Sequence, residues 1–82
     1  MIEINRSFEY TFLEAWENAI DNKNIIITSK NTGASYKIEK VGKKDRLKFF
    51  NAVIDNWQIY YCIEEKEIFD KWYITEIRRK AS

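Results

Sequence analysis

The segment from residue 24 to residue 41 constrains the fold of this chain more than any other part. Residues 25–28, three isoleucines and a threonine, are all β-branched and therefore favour an extended strand. Residues 31–33, Asn-Thr-Gly, are the clear tight-turn signal of the sequence. Residues 34–39 then alternate apolar with polar side chains, as a half-exposed strand does. The sequence therefore predicts a β-hairpin over residues 24–41.

Three other segments repeat apolar side chains at steps of three and four, the period of an amphipathic helix. We predict helices over residues 7–21, 45–57 and 64–79. Residues 57–63 have the composition of a third strand, but a continued helix or a loop also fits them. The predicted N-caps are Ser7 or Asn5 for the first helix and Asp45 for the second.

The predicted order is α-β-β-α-(β)-α, an α+β fold with a small antiparallel sheet and three helices. The 82 residues contain no repeat, linker or low-complexity tract, so we expect residues 1–82 to form a single domain. Three Trp, five Tyr and five Phe supply a core without disulfides. Cys62 is the only cysteine, and we expect it to be buried and inert. The expected core residues are Phe12, Trp16, Ile20, Ile26, Tyr36, Ile38, Leu47, Phe50, Ile54, Phe69 and Trp72.

The residue types that most enzymes require are missing from this chain. Histidine is absent, and Gly33 and Gly42 are the only glycines, so His-assisted nucleophiles, P-loops and dinucleotide fingerprints are excluded. We therefore expect no enzymatic activity, no cofactor and no metal. One catalytic alternative stays open, because Asp55 with residues 64–66, Glu-Glu-Lys, has the residue types of a magnesium-dependent nuclease site. The same acids also suit the solvated first turn of a helix.

Charge along the chain is divided into four blocks. Residues 1–21 carry a net −4, residues 23–48 a net +6, residues 55–76 a net −4 and residues 78–80 a net +3, which together give the overall +1. Segregated charge steers partners toward a protein and fixes the orientation in which they bind. The pattern indicates a binding protein and specifies no reaction.

The basic block predicts a nucleic-acid contact across the hairpin and the residues that follow it. Its lysines and arginine would hold phosphates, with an affinity that falls steeply as salt rises. Lys37 and Glu39 are expected on one face of their strand and Lys40 on the other. The alternative is that these are ordinary solvated lysines at an exposed strand edge. The candidate residues are Lys30, Lys37, Lys40, Lys43, Lys44, Arg46 and Lys48.

The acidic block supplies a second candidate surface, which would bind a protein rather than a nucleic acid. Four acids fall within seven residues, and tyrosines lie close to them in sequence. Aromatic anchors surrounded by charge are typical of protein interfaces. The alternative is again a solvated helix face. The candidate residues are Glu64, Glu65, Glu67, Asp70, Tyr60 and Tyr61.

Two segments of the C-terminal half carry a family resemblance: residues 48–57, Lys-Phe-Phe-Asn-Ala-Val-Ile-Asp-Asn-Trp, and residues 64–67, Glu-Glu-Lys-Glu. Together with the turn at 31–33 and the strand at 36–38, they resemble the small phage-encoded anti-CRISPR proteins that inhibit Cas9. The resemblance covers roughly the last 50 residues. It implies no catalysis, but blockage of a nuclease's DNA-recognition groove by carboxylates that stand in for phosphates. It places that role on Glu64, Glu65, Glu67 and Asp70.

We therefore expect a small non-enzymatic interaction domain, an anti-CRISPR-like inhibitor encoded by a phage or mobile element, which blocks a nucleic-acid-processing enzyme such as Cas9 through its acidic and aromatic face. The alternative is a nucleic-acid-binding module that uses residues 30–48, and a homodimer with a structural role is a third interpretation. No signal peptide and no apolar run long enough to span a bilayer are present, which predicts a cytoplasmic protein without membrane contact.

Overall fold

The computed structural model describes residues 3–60 and 63–77. These residues form an α+β fold, with a six-stranded antiparallel sheet and two helices. The predicted class is confirmed, whereas the prediction of three helices is wrong. Tyr61, Cys62 and the basic residues 78–80 lie outside the described residues. The elements in chain order are β1 (Tyr10–Thr11), α1 (Phe12–Asp21), β2 (Ile25–Ser29), β3 (Ser35–Val41), β4 (Lys44–Asn51), β5 (Asn56–Ile59), α2 (Glu65–Ile68) and β6 (Lys71–Glu76).

The sheet has the strand order β1-β6-β2-β3-β4-β5. Strands β2 to β5 follow one another as a meander, and β6 then returns to pair with β2 on the side away from β3. The predicted hairpin over residues 24–41 is confirmed, with Ile27 opposite Tyr36. Gly33 closes its turn at a φ of 74°, a left-handed conformation that glycine adopts without steric cost.

Helix α1 begins later than the sequence predicted. Neither Ser7 nor Asn5 is the N-cap, because Tyr10 and Thr11 first pair with β6 as a short strand. Thr11 is the N-cap: its hydroxyl accepts from the Glu14 N–H at 3.2 Å, while its own N–H donates to the Glu14 carboxylate at 3.0 Å. This reciprocal capping box was readable in the Thr-x-x-Glu spacing.

The helix predicted over residues 45–57 is wrong, because this segment forms β4, a turn and β5. Gly42, with a φ of 67°, reverses the chain between β3 and β4, so that Asp45 pairs with Lys40 instead of capping a helix. The Asn51 side chain accepts from the Val53 N–H at 3.0 Å and thereby shapes the turn before β5. Both faces of β4 carry apolar side chains, and their combined spacing imitates a helical period. In the ambiguous segment 57–63, residues 57–59 belong to strand β5.

The helix predicted over residues 64–79 is also wrong beyond its first turn. Helix α2 has four residues, and the chain then enters β6. Aromatic and β-branched residues in β6 favour a strand, and the free edge of β2 supplies a partner over Ile25–Ser29. Tertiary pairing therefore overrides the helical spacing of Ile68, Trp72 and Ile77.

Helix α1 covers one face of the sheet, which we call the inner face. We call the opposite face, which α1 does not cover, the outer face. Strand alternation and cross-strand register assign each side chain to a face. Ala15 and Ala19 of α1 pack on the inner face against Ile27, Tyr36 and Trp72, which are at most 3% exposed. The hydrophobic core therefore lies between α1 and the inner face.

The predicted core is confirmed on the buried strands and, for Phe12 and Trp16 but not Ile20, on α1. Ile20, Ile54 and Phe69 were predicted to be buried and are instead 52%, 53% and 82% exposed, because the helical faces assumed for them do not exist or point outward. Phe50 is partly buried on the outer face. The confirmed buried residues are Ile26, Tyr36, Ile38 and Trp72, and Phe12, Trp16 and Leu47 are partly buried against the core of the inner face.

Neither helix in the described ranges has the length and apolar character needed to cross a membrane.

Candidate nucleic-acid interface

The outer face of the sheet has a covered half and an open half. Ile26 and Thr28 of β2 point to the outer face and are nevertheless only 1% exposed. Residues 3–9 lie against this face at β6, where the Asn5 N–H donates to the Thr75 hydroxyl at 2.9 Å. The covered half therefore consists of β2, whose outward side chains are buried, and of β6, which the N-terminal segment contacts; the open half consists of β3, β4 and β5.

The open half is basic. Its strands present four bases and one acid outward, a net charge of +3. Lys44 and Arg46 are exposed, and neither forms an ion pair within the described residues. The outward side chains of the open half are Lys37, Glu39 and Val41 of β3, Lys44, Arg46, Lys48 and Phe50 of β4, and Trp57 and Ile59 of β5.

A three-residue ion cluster lies at the centre of the open half. Lys37 and Lys48 are directly opposite each other in β3 and β4, which by itself would be repulsive. The Glu39 carboxylate bridges them, at 3.1 Å from the Lys37 ammonium and 2.7 Å from the Lys48 ammonium. Hydrogen bonds from Lys48 and then Lys37 hold the pKa of Glu39 below its ordinary value. The carboxylate is therefore anionic at neutral pH.

An aromatic pair borders the ion cluster. The rings of Phe50 and Trp57 meet edge to face with their centroids 5.4 Å apart. The Lys37 ammonium lies 4.6 Å from the centroid of the Trp57 ring, within the range of a cation–π contact. Aromatic rings and ammonium groups thus share one partly exposed surface, which suits a ligand that has both planar rings and negative charge.

The structure divides the seven predicted nucleic-acid contacts into two sets. Four of them lie together on the open half, and Lys43 adds a fifth charge in the turn between β3 and β4. Lys40 points to the inner face, as the strand period predicted. Lys30 is in the loop between β2 and β3, where its ammonium pairs with Glu9 at 2.9 Å. Lys30 and Lys40 are therefore not part of this surface.

A cleft of about 320 Å³ adjoins the open half at its border with β2. Its lining includes Ile26 of β2 together with Lys37 and Glu39 of the ion cluster. Two members of the cluster therefore also border this cleft. The remaining lining residues are Lys23, Asn24, Lys40 and Ile77.

Glu67, the central residue of the predicted acidic surface, is buried. Its side chain accepts hydrogen bonds from the Tyr36 hydroxyl at 3.0 Å and from the Thr32 hydroxyl at 2.7 Å, and the residue is 3% exposed. Burial, followed by the hydrogen bond to Glu67, raises the pKa of Tyr36 well above its usual range. Glu67 therefore fastens α2 to the hairpin and does not face solvent.

The other predicted acidic-surface residues are dispersed. The Asp70 carboxylate accepts from the Asn31 N–H at 2.7 Å, which ties it to the hairpin turn. Tyr60 packs on the ring of Phe49, with centroids 5.1 Å apart. Glu64 and Glu65 remain exposed at α2, where Glu64 pairs with Lys66 at 3.3 Å. Only these two acids of the predicted set stay available to a protein partner.

The residues of the nuclease alternative are not brought together. Asp55 lies in the turn between β4 and β5, with a φ of 52°, while Glu64, Glu65 and Lys66 lie at α2. In residues 3–60 and 63–77, no group of three or more acids or cysteines is arranged to hold a metal ion.

Sequence reasoning did not assign the two aromatic residues of the open half, Phe50 and Trp57, to the nucleic-acid surface. Both were assigned to the stripe of a helix that does not form. The signal that would have found Phe50 is a period of two: Arg46, Lys48 and Phe50 alternate with Leu47 and Phe49.

Comparison of the chain with protein-family models, with curated proteins and with solved structures finds no match.

Proposed function

We propose that this protein is a non-enzymatic binding domain whose open half holds a single-stranded nucleic acid. The observation that carries the proposal is the meeting of four bases with an aromatic pair on a sheet face that the described chain leaves uncovered. Phosphates would contact Lys44 and Arg46, and a base would stack at Trp57. The single cysteine suits a reducing compartment, so we place this activity in the cytoplasm.

The shape of the surface favours a single strand over a duplex. A sheet face admits unstacked bases, whereas a duplex hides its base faces from aromatic side chains. Three strands span about 10 Å across the open half, and the distance along β4 from Lys44 to Lys48 is about 13 Å. Sheet surfaces of this kind accommodate two or three bases, so a footprint of about three nucleotides is expected.

A binding titration tests the proposal. Fluorescein-labelled dT12 or rU12 is titrated with the wild type and with the double variant Lys44→Glu with Arg46→Glu, and anisotropy is measured between 50 and 300 mM salt. The matched control is Lys30→Glu with Lys40→Glu, which changes net charge equally but lies off the open half. We expect the first variant to weaken binding by at least about tenfold and the control by less than about threefold. Equal losses of affinity in both variants would show that binding depends on the net charge of the protein and not on the open half.

A second candidate function is supported by the surface beside α2. Phe69 is 82% exposed and follows the exposed acids Glu64 and Glu65, so an aromatic anchor lies next to negative charge. This arrangement would suit the inhibitor role that the anti-CRISPR resemblance implies, on a smaller acidic set than the sequence suggested. Its test is DNA cleavage by Cas9 with this protein in excess. Inhibition that Glu64→Lys with Glu65→Lys abolishes would favour this candidate.

A further inference from the structure

We propose that Glu39 is a built-in competitor of the nucleic-acid phosphates, holding the anion position of the open half in the free protein. This inference rests on the proposed function and concerns the regulation of the same surface. Glu39 is the one acid among the outward strand residues of the open half. A carboxylate between two ammonium groups has the charge and contacts that a phosphate oxygen would have there.

The geometry shows a site already occupied by part of the chain itself. The Glu39 carboxylate uses both oxygens, one on Lys37 at 3.1 Å and the other on Lys48 at 2.7 Å. The two lysine side chains are 19% and 20% exposed, whereas that of Glu39 is 38% exposed. The acid is therefore the member of the cluster that solvent and an incoming phosphate reach most readily.

Glu39 also controls access to the aromatic pair. The same Lys37 ammonium that contacts Glu39 lies 4.6 Å from the centroid of the Trp57 ring. While this ion pair holds, the lysine covers a ring face that a base would need for stacking. A phosphate that draws Lys37 away from Glu39 would uncover the ring, so phosphate binding and base stacking would reinforce each other.

The test is the substitution Glu39→Gln, which keeps the shape of the side chain and removes its charge. Binding of dT12 is measured by anisotropy from 50 to 300 mM salt. We expect roughly three- to tenfold tighter binding near 100 mM salt, and a slope of log affinity against log salt that is steeper by about 0.7 to 1.4, for one or two more phosphates neutralised. The control is Glu9→Gln, which makes the same charge change at the Lys30 pair and should shift the affinity by less than about twofold.

Unchanged or weaker binding by Glu39→Gln would overturn the inference, because it would show that Glu39 only positions the two lysines. Thermal unfolding of each variant verifies that the comparison is between folded proteins, and Glu39→Asp serves as a second variant that retains the charge. Glu39→Asp should bind no more tightly than the wild type. If the wild type binds no oligonucleotide, both the proposed function and this inference fail. If it binds and Glu39→Gln is not tighter, only the inference fails.

Discussion

The covered and open halves of the outer face belong to one sheet and differ in the burial and charge of their outward side chains. On the covered half the outward side chains include Ile26, Thr28 and Thr75, which are neutral and at most 7% exposed. Across β3 to β5 the outward residues include four bases and two aromatic rings. The covered half is therefore apolar or neutral because its side chains are packed, whereas charged side chains and partly exposed aromatic rings remain at the surface of the open half.

Two carboxylates, one buried and one at the surface, show the same difference. Glu67 is buried and accepts from two neutral hydroxyl groups, so it serves the fold. Glu39 is on the open half and accepts from two ammonium groups, so it balances charge at the surface. A carboxylate of the first kind should govern stability, and one of the second kind should govern binding.

The largest effect on stability is expected for Glu67→Ala. The substitution removes the acceptor of the buried Tyr36 hydroxyl and of the hydroxyl of Thr32, which is an exposed residue, and this costs about 2 to 4 kcal/mol of unfolding free energy. Urea unfolding followed by tryptophan fluorescence measures this loss. The control is Glu65→Ala, at an exposed position of the same helix, where a change below about 0.5 kcal/mol is expected. Similar losses in both would contradict the assignment of Glu67 to the core.

Among single substitutions, the largest effect on nucleic-acid affinity is expected for Trp57→Ala. Loss of one stacked base should weaken dT12 binding by roughly five- to thirtyfold, about 1 to 2 kcal/mol, with an unchanged salt slope. Phe69→Ala is the matched control, since it removes an exposed aromatic ring away from the open half. A larger loss with Phe69→Ala than with Trp57→Ala would move the binding surface to α2.

A smaller effect is expected on the covered half for Arg6→Ala. The Arg6 guanidinium lies 5.7 Å from the centroid of the Tyr73 ring and helps to hold residues 3–9 on the sheet. Its removal should cost about 0.5 to 1 kcal/mol of stability, measured by thermal unfolding. The affinity for dT12 should fall by less than about threefold, because Arg6 is not on the open half. A tenfold loss would show that the covered half takes part in binding.

The smallest effect is the pH dependence that Glu39 contributes to stability. Its pKa in the folded protein lies below the ordinary 4.5, so its stabilising contribution is present above pH 4.5 and is lost as the pH falls through the folded value. Because the side chain is 38% exposed, solvent screens the interaction and the contribution should stay below about 0.5 kcal/mol. The stability difference between wild type and Glu39→Gln should therefore shrink between pH 7 and pH 3. A difference that grows on acidification would contradict the ion cluster.

The sequence predicted the elements whose local signals agree with their tertiary setting. Residues 25–28 form a buried strand, the turn at Gly33 reverses the chain, and α1 follows from its apolar stripe. The alternation in β3 also placed Lys37 and Glu39 together and Lys40 apart, which is part of the candidate site.

The remaining elements could not be predicted because their apolar spacing is ambiguous. In β4, Leu47 points to the inner face and Phe50 to the outer face, and their separation of three residues imitates a helix. In β6, pairing with β2 decides the conformation, and no local pattern shows that β2 has a free edge. Trp57 joined the site through strand pairing alone, since its neighbour Phe50 is opposite it across a turn.

The most direct test of the account is a map of where a nucleic acid contacts the protein. ¹⁵N-labelled protein is titrated with dT12, and backbone amide and tryptophan indole signals are followed by NMR. We predict that the signals of the Trp57 indole and of the β4 and β5 amides shift together, while those of α1 and of residues 64–70 do not. Shifts confined to residues 64–70 or to α1, or no shifts at all, would contradict it.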